Sequence, residues 1–154
     1  LFLEQVLCFG NVNRHPSGRV VSVAYYTLVN INHINLAVQD HELHWHSIHQ
    51  VGNMAFDHNE ILNTCLIRLQ ERIKAEPIGF NLLPEKFSMR SLQLLYESVL
   101  MVDLDRRNFR KKVMGTGLLI DLKELESDGP HRPAKLFKFN SEKYRQQDIK
   151  GNFV

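Results

Sequence analysis

The chain has 154 residues, 44% of them hydrophobic, and a formal net charge of +2. This composition excludes a disordered or fibrous polypeptide, and no apolar run in the sequence is long enough to span a membrane. The cations are unevenly placed, because Arg14 and Arg19 are the only ones before residue 57 and every lysine follows it. Since a phosphate backbone responds to local charge, we expect any nucleic-acid surface in the second part of the chain.

The first 56 residues predict a small, strand-rich segment. Residues 3–9 are apolar enough for a strand or a helix end, and residues 10–18 form a polar loop. Residues 19–29 are rich in Val and Tyr, and their nearly continuous apolar character predicts a strand covered on both faces. These elements are too few to close a core alone. Because the chain begins with Leu1 inside an apolar pattern, we expect that natural sequence precedes it.

Residue types that bind metals do not form a convincing pattern here. Imidazole is the commonest zinc ligand, and four histidines lie within nine residues, namely His41, His44, His46 and His49. No cysteine or ordered carboxylate pattern accompanies them, so surface histidines are the simpler interpretation and we predict neither a metal site nor a cofactor. Cys8 and Cys65 stand in apolar runs without paired spacing, which predicts buried thiols in the reducing cytoplasm.

The second part of the chain predicts three helices. A first helix over residues 57–74 has an apolar stripe of Leu62, Leu66, Leu69 and Ile73. A second helix begins at Ser88, a suitable N-cap, and its apolar stripe consists of Leu92, Leu95, Tyr96 and Val99. A third helix follows Asp105, whose side chain can cap its first amides, and Gly115 and Gly117 are expected to end it.

The third helix has two chemically different faces. Phe109 and Val113 share one face, whereas Arg107, Asn108 and Lys111 fall on the opposite one and Arg110 and Lys112 flank them. This arrangement is typical of a recognition helix, although most basic runs are simply solvated helix faces. Residues 118–122 and 136–139 then predict two strands around a loop, residues 124–134, in which Arg132 lies among turn formers. Three helices followed by a hairpin indicate a winged helix.

These features predict binding to duplex DNA, with a winged helix used only for protein contacts as an alternative. Arg107, Asn108 and Lys111 are expected to face the groove, and Arg106, Arg110 and Lys112 to lie nearer phosphates. Ser88 and Arg90, at the start of the second helix, are expected to contact the DNA backbone. Arg132 is the candidate for a DNA contact from the wing.

Several separated segments of the sequence form a distinctive set, namely residues 3–10 (LEQVLCFG), 14–26 (RHPSGRVVSVAYY), Trp45, 54–62 (MAFDHNEIL), 95–97 (LYE) and 107–112 (RNFRKK). Together they resemble Nudix-related transcriptional regulators, especially the sugar-responsive members of Bacteroides-type bacteria. The resemblance implies an α/β Nudix-like effector domain followed by a winged helix. Accordingly, residues 1–56 would be the later part of the effector domain, residues 57–147 the DNA-binding domain and residues 148–154 a tail.

The resemblance also implies a mechanism. A small-molecule effector, either a pentose sugar or an ADP-ribose-like metabolite, would bind the Nudix-like part and release operator DNA from a homodimer. Arg14, His15 and Arg19 flank the loop that would border the effector cavity, although a plain solvent-facing loop is an equal alternative.

A Nudix hydrolase with an accessory winged helix is the rival hypothesis. Hydrolysis needs paired carboxylates that hold divalent cations, and the nearest candidate in the sequence, residues 70–72 (QER), lacks them. A catalytic box would have to lie before Leu1. We therefore predict a regulator and not an enzyme.

Overall fold

The computed structural model describes residues 2–29, 44–126 and 133–146. The chain divides into two compact units, Leu1–Arg68 and Leu69–Val154. The division falls within the first long helix, α1 (His58–Ala75), which begins and ends within one residue of its predicted bounds. None of the helices among the described residues has the length and apolar character of a membrane span. His41, Arg132 and the predicted tail lie outside the described residues.

The first unit contains a β-hairpin and the start of α1. Strand β1 (Phe2–Phe9) pairs antiparallel with β2 (Ser22–Leu28), and the register shifts between Gln5 and Leu7. Alternate residues of β2 are exposed and half-buried, because successive side chains of a strand point to opposite faces. Val23 and Tyr25 are therefore exposed, and the predicted covering of both faces is wrong for the described chain.

The two cysteines differ in their surroundings. Cys8 is exposed, because it lies on the same face of the hairpin as its cross-strand neighbour Val23, so the prediction of a buried thiol there is wrong. Cys65 lies in α1 and is partly buried. Burial raises the pKa of the Cys65 thiol, which makes it a poorer nucleophile than an exposed thiol.

The second unit is a winged helix. Helices α2 (Met89–Leu100) and α3 (Arg106–Thr116) precede a three-stranded antiparallel sheet of order β3-β5-β4. Its strands are β3 (Phe87–Ser88), β4 (Leu119–Glu126) and β5 (Ala134–Phe139), and a last helix, α4 (Ser141–Gln146), follows. The predicted helices and the hairpin of β4 and β5, here called the wing, are confirmed. Strand β3 and helix α4 were not expected from the sequence.

The core of the second unit lies among the helices and the sheet. It includes Leu92 and Tyr96 of α2 and Phe109 and Val113 of α3, all four of which are buried. The ring centroids of Tyr96 and Phe109 are 5.6 Å apart, a distance typical of packed aromatic pairs. The other buried residues include Ile73, Phe80, Leu118 and Phe137. This packing fixes the rotation of α3 about its own axis, and therefore decides which side chains it presents outward.

Candidate nucleic-acid interface

Helix α3 presents a cationic surface opposite its buried face. Phe109 is 4% exposed and Val113 is 0% exposed, so the helix is anchored on that side. The predicted DNA-binding residues on the other faces are all exposed, namely Arg106, Arg107, Asn108, Arg110, Lys111 and Lys112. Within the described part of the chain, none of these cationic side chains takes part in an ion pair or a hydrogen bond. Their charges are therefore free to meet an external anion.

Both ends of α3 are defined by local chemistry. The Asp105 Oδ1 accepts a hydrogen bond of 2.8 Å from the backbone N–H of Asn108, which confirms the predicted N-cap. At the other end, Gly117 adopts φ 65°, a left-handed conformation that glycine tolerates, and it terminates the helix. Gly115 lies inside α3, so the prediction that it helps to end the helix is wrong. A glycine can continue a helix at a modest cost in free energy.

The start of α2 is held by Ser88. Its Oγ accepts a hydrogen bond of 3.2 Å from the backbone N–H of Ser91, which confirms the predicted N-cap. The residue is only 2% exposed, so its hydroxyl serves the helix and is not displayed on the surface. Arg90, two residues later, is exposed. Of the two residues predicted at this end, Arg90 therefore has the accessible side chain.

A cleft of about 300 Å³ brings cations from three elements together. It receives Arg90 from α2, Arg106 and Arg110 from α3, and Lys135 from β5. Its remaining lining is uncharged and consists of Met89, Pro133, Ala134 and Phe137. We call it the cationic cleft. The sequence did not single out Lys135, because its nearness to Arg90 depends on how β5 pairs in the sheet.

The wing contains an irregular strand, and its residues take part in surface ion pairs. The register between β4 and β5 shifts between Asp121 and Leu125, where Lys123 adopts a positive φ of 57°. Lys135 Nζ lies 3.3 Å from Asp121 Oδ2, and Lys86 Nζ lies 2.6 Å from Glu124 Oε2. Hydrogen bonding from the backbone of Lys123 and from Lys135 lowers the pKa of Asp121, which therefore stays ionised.

In the first unit, the predicted effector residue Arg14 is engaged inside the protein. Its Nε and Nη2 donate to the two carboxylate oxygens of Asp57 at 2.6 and 2.9 Å, and its Nη1 donates to Ser22 Oγ at 2.7 Å. This two-point pairing raises the pKa of Arg14 and lowers the pKa of Asp57. The sequence missed Asp57 as a partner, since the two residues are separated by 43 positions.

The other predicted effector residues lie near the same pair. The ring of His15 packs against Phe56 with centroids 4.5 Å apart, and Arg19 is exposed. Arg14 and His15 border a hollow of about 250 Å³, and a larger one of about 510 Å³ lies between β2 and the start of α1. Among the described residues, no three His, Cys, Asp or Glu side chains are grouped as a metal site would require.

Comparison with known proteins agrees with this architecture. Residues 79–139 match the NrtR DNA-binding winged helix domain. The ADPR responsive transcriptional repressor NtrR of Acinetobacter baylyi is 30% identical over 146 residues, which are 93% of this chain and 58% of that protein. The crystal structure of Shewanella oneidensis NrtR complexed with a 27mer DNA has a TM-score of 0.69 and 26% identity, covering 90% of this chain and 64% of that one.

A further likeness concerns the fold alone. The crystal structure of a MutT/nudix family protein from Enterococcus faecalis has a TM-score of 0.65 at 24% identity, over 89% of this chain and 61% of that one. The chain thus spans less than two thirds of each of these relatives. Residues 79–139 are thus similar to the NrtR DNA-binding winged helix domain, and most of the chain is similar in sequence and fold to NrtR proteins.

Proposed function

We propose that the chain is a transcriptional repressor of the NrtR kind, which binds operator DNA through its winged helix and acts in the cytoplasm. The observation that carries this proposal is the set of exposed, unengaged cations on α3, a helix whose opposite face is buried. A helix of this kind has the diameter of the major groove and offers the side chains that recognise bases and phosphates. The Shewanella relative was crystallised with DNA, and the Acinetobacter relative is described as a repressor.

The proposed contacts divide between base recognition and backbone binding. Arg107, Asn108 and Lys111 project opposite Phe109 and are assigned to base edges, because arginine and asparagine form bidentate hydrogen bonds with guanine and adenine. Phosphate contacts are assigned to Arg106, Arg110, Lys112 and Arg90, with Ser88 holding the amide end of α2 in place. Arg132, outside the described residues, is proposed for the wing.

Substitution of Arg107 tests base recognition. Arg107→Ala is expected to cost about 1–3 kcal/mol of binding free energy on a duplex that the protein has selected from a random library, and less on a random duplex. Lys112→Ala is expected to weaken both duplexes alike, because a phosphate contact carries no sequence information. Fluorescence anisotropy of labelled duplexes at fixed salt measures both affinities.

Arg107→Lys is the matched control, since it keeps the charge and removes the two-pronged guanidinium. It is expected to retain affinity for random DNA while losing discrimination. Equal losses on both duplexes for Arg107→Ala would contradict base recognition by this residue. Absence of salt-dependent DNA binding by the unmodified chain would overturn the proposed function in favour of protein contacts.

We further propose that the effector is an ADP-ribose-like metabolite bound by the first part of the chain. The Acinetobacter relative is named as ADPR responsive, which favours this class over a pentose sugar. Arg19 is the accessible cation of the predicted set, and Arg14 and His15 border the neighbouring hollow. A thermal shift with ADP-ribose that is reduced in Arg19→Ala, and no shift with free pentoses, is expected. The reverse pattern would support a sugar-responsive regulator.

We also propose domain limits and a homodimeric assembly for the protein. We assign residues 1–56 to the later part of an effector domain, residues 57–147 to the DNA-binding domain and residues 148–154 to a tail. A homodimer binding two half-sites would match the symmetry of a palindromic operator. Since the relatives named above are a repressor and an NrtR in complex with DNA, we propose regulation and not hydrolysis.

A further inference from the structure

The cationic cleft differs from the rest of the DNA-facing surface because three separate elements converge on it. Arg106 and Arg110 are four residues apart in α3, so they lie on the same side of that helix. Arg90 enters from α2 and Lys135 from β5. No acidic side chain lines the cleft among the described residues. Cations gathered in this way repel one another until an anion joins them.

From this arrangement we propose that the cationic cleft holds a single phosphate of the DNA backbone, and that Asp121 competes with this phosphate for Lys135. The inference rests on the proposed function. The floor of the cleft includes the buried ring of Phe137 and the buried side chain of Met89, so the cations stand at its rim around an apolar base. Such a site suits one compact anion, because arginine forks bind phosphate oxygens through paired hydrogen bonds.

The ion pair between Lys135 and Asp121 is weak enough for a phosphate to replace it. Lys135 Nζ is 3.3 Å from Asp121 Oδ2, and the two side chains are 60% and 39% exposed. Exposed ion pairs at such distances contribute little free energy. A phosphate flanked by three arginines can therefore displace Asp121 from Lys135. In the absence of DNA, the same aspartate partly neutralises the lysine.

Substitutions on either side of this pair should change DNA affinity in opposite directions. Lys135→Ala is expected to weaken binding to a random-sequence duplex roughly threefold to tenfold, since one charge-assisted contact is lost. Asp121→Asn is expected to tighten binding roughly twofold to fivefold, because the competing charge is removed. Both are measured by anisotropy with the 154-residue chain. A gain of affinity for Asp121→Asn cannot result from a damaged fold.

Lys138→Ala is the matched control. Lys138 lies on the same strand, is exposed and is paired with Glu85, but it does not line the cleft. Its removal deletes the same charge and is expected to change the affinity for random DNA less than Lys135→Ala does. An equal loss for both lysines would overturn the proposal, because it would show a general charge effect and not a site.

The number of phosphates follows from the salt dependence of binding. If Arg90 and Lys135 hold the same phosphate, the double variant Arg90→Ala with Lys135→Ala should reduce the magnitude of the slope of log affinity against log salt by no more than about 0.9, the value for one phosphate, because Arg106 and Arg110 remain beside it. A decrease of about 1.8 would mean two phosphates and would overturn the shared site.

The outcomes also separate this inference from the proposed function. If Lys135→Ala and Asp121→Asn leave the affinity unchanged while Arg107→Ala still removes sequence discrimination, the chain binds DNA but the cleft does not hold a phosphate. If the unmodified chain shows no salt-dependent binding to any duplex, the proposed function itself fails.

Discussion

The ion pair with Asp57 uses hydrogen-bond donors of Arg14 inside the fold. The Arg14 side chain is 5% exposed, and three of its N–H groups already have acceptors in Asp57 and Ser22. A buried guanidinium without its carboxylate would retain its charge in a poorly hydrated site. The pair therefore fixes the loop after β1 to the residue that precedes α1. Any contact of Arg14 with an effector must be made by the groups that remain.

Asp57→Asn tests this role through its dependence on pH. The hydrogen bonds from Arg14 hold the pKa of Asp57 below its ordinary value of 3.8, so the ionised form stabilises the folded state. This contribution is fully present above the ordinary value and is lost as the pH falls through the lowered one. We expect Asp57→Asn to lower the melting temperature at neutral pH, and the difference from the unmodified chain to shrink in strong acid.

Asp103→Asn provides the comparison for the pH series, because Asp103 is an exposed carboxylate. It is expected to leave the melting temperature nearly unchanged at every pH, as most exposed substitutions do. A melting-temperature difference for Asp57→Asn that stays constant down to strong acid would contradict the role assigned to its charge.

Among the helices and strands, α3 depends most clearly on how its ends are formed. Helix α3 lies between its N-cap aspartate and its left-handed C-terminal glycine, and its large apolar residues are Phe109, Val113 and the exposed Met114. Most of the surface of such a helix is not buried, so burial there contributes little stabilising free energy. The correct termination of α3 is thus important for keeping the cationic side chains in their positions.

The two glycines of this segment should respond to alanine in opposite ways. Gly117→Ala forces a left-handed conformation on a residue with a Cβ, which would also overlap the end of the Lys143 side chain, and should destabilise the protein by about 1–2 kcal/mol. Gly115→Ala meets open space within the helix and should stabilise it by about 0.5–1 kcal/mol. Urea unfolding followed by circular dichroism measures both. A stabilising Gly117→Ala would refute the assigned helix end.

The elements that the sequence predicted are those with a repeating pattern of their own. Helices α1, α2 and α3 and the wing strands show apolar periodicity or clear caps, which depend only on neighbouring residues. Strand β3 has two residues, too few for any period, and its existence depends on pairing with β5. For the same reason the exposed cationic side of α3 was predictable, whereas the cationic cleft and the Arg14 pair depend on contacts between distant segments.

For the whole molecule, the cations are distributed unevenly along the chain. Apart from Arg14 and Arg19, every cation lies in residues 57–154, which contain the winged helix. A ligand that bound the first part and DNA that bound the second would influence each other through one free energy of coupling. The direction proposed here is opposition, so that the effector lowers the affinity for the operator.

Thermodynamic linkage requires that the effects of ADP-ribose and of DNA on each other's binding be equal. If ADP-ribose weakens the binding of a selected duplex by some factor, saturating duplex must weaken the binding of ADP-ribose by the same factor. Anisotropy with and without ADP-ribose gives the first factor, and calorimetric titration with and without duplex gives the second. Ribose serves as the control ligand. Independent binding of ADP-ribose and DNA would contradict effector-controlled release.

If the proposed function holds, the short strand β3 has a consequence for the choice of operator. Phe87 pairs with Phe137 and Ser88 with Leu136, immediately before α2 begins, so backbone hydrogen bonds tie the first turn of α2 to the wing. This pairing constrains the spacing between Arg90 and the wing. A duplex bound in the proposed way would have to match that spacing, and the free-energy cost of bending or twisting to do so varies with its base sequence. Stiffness of the DNA at positions that no side chain touches should therefore contribute to operator choice.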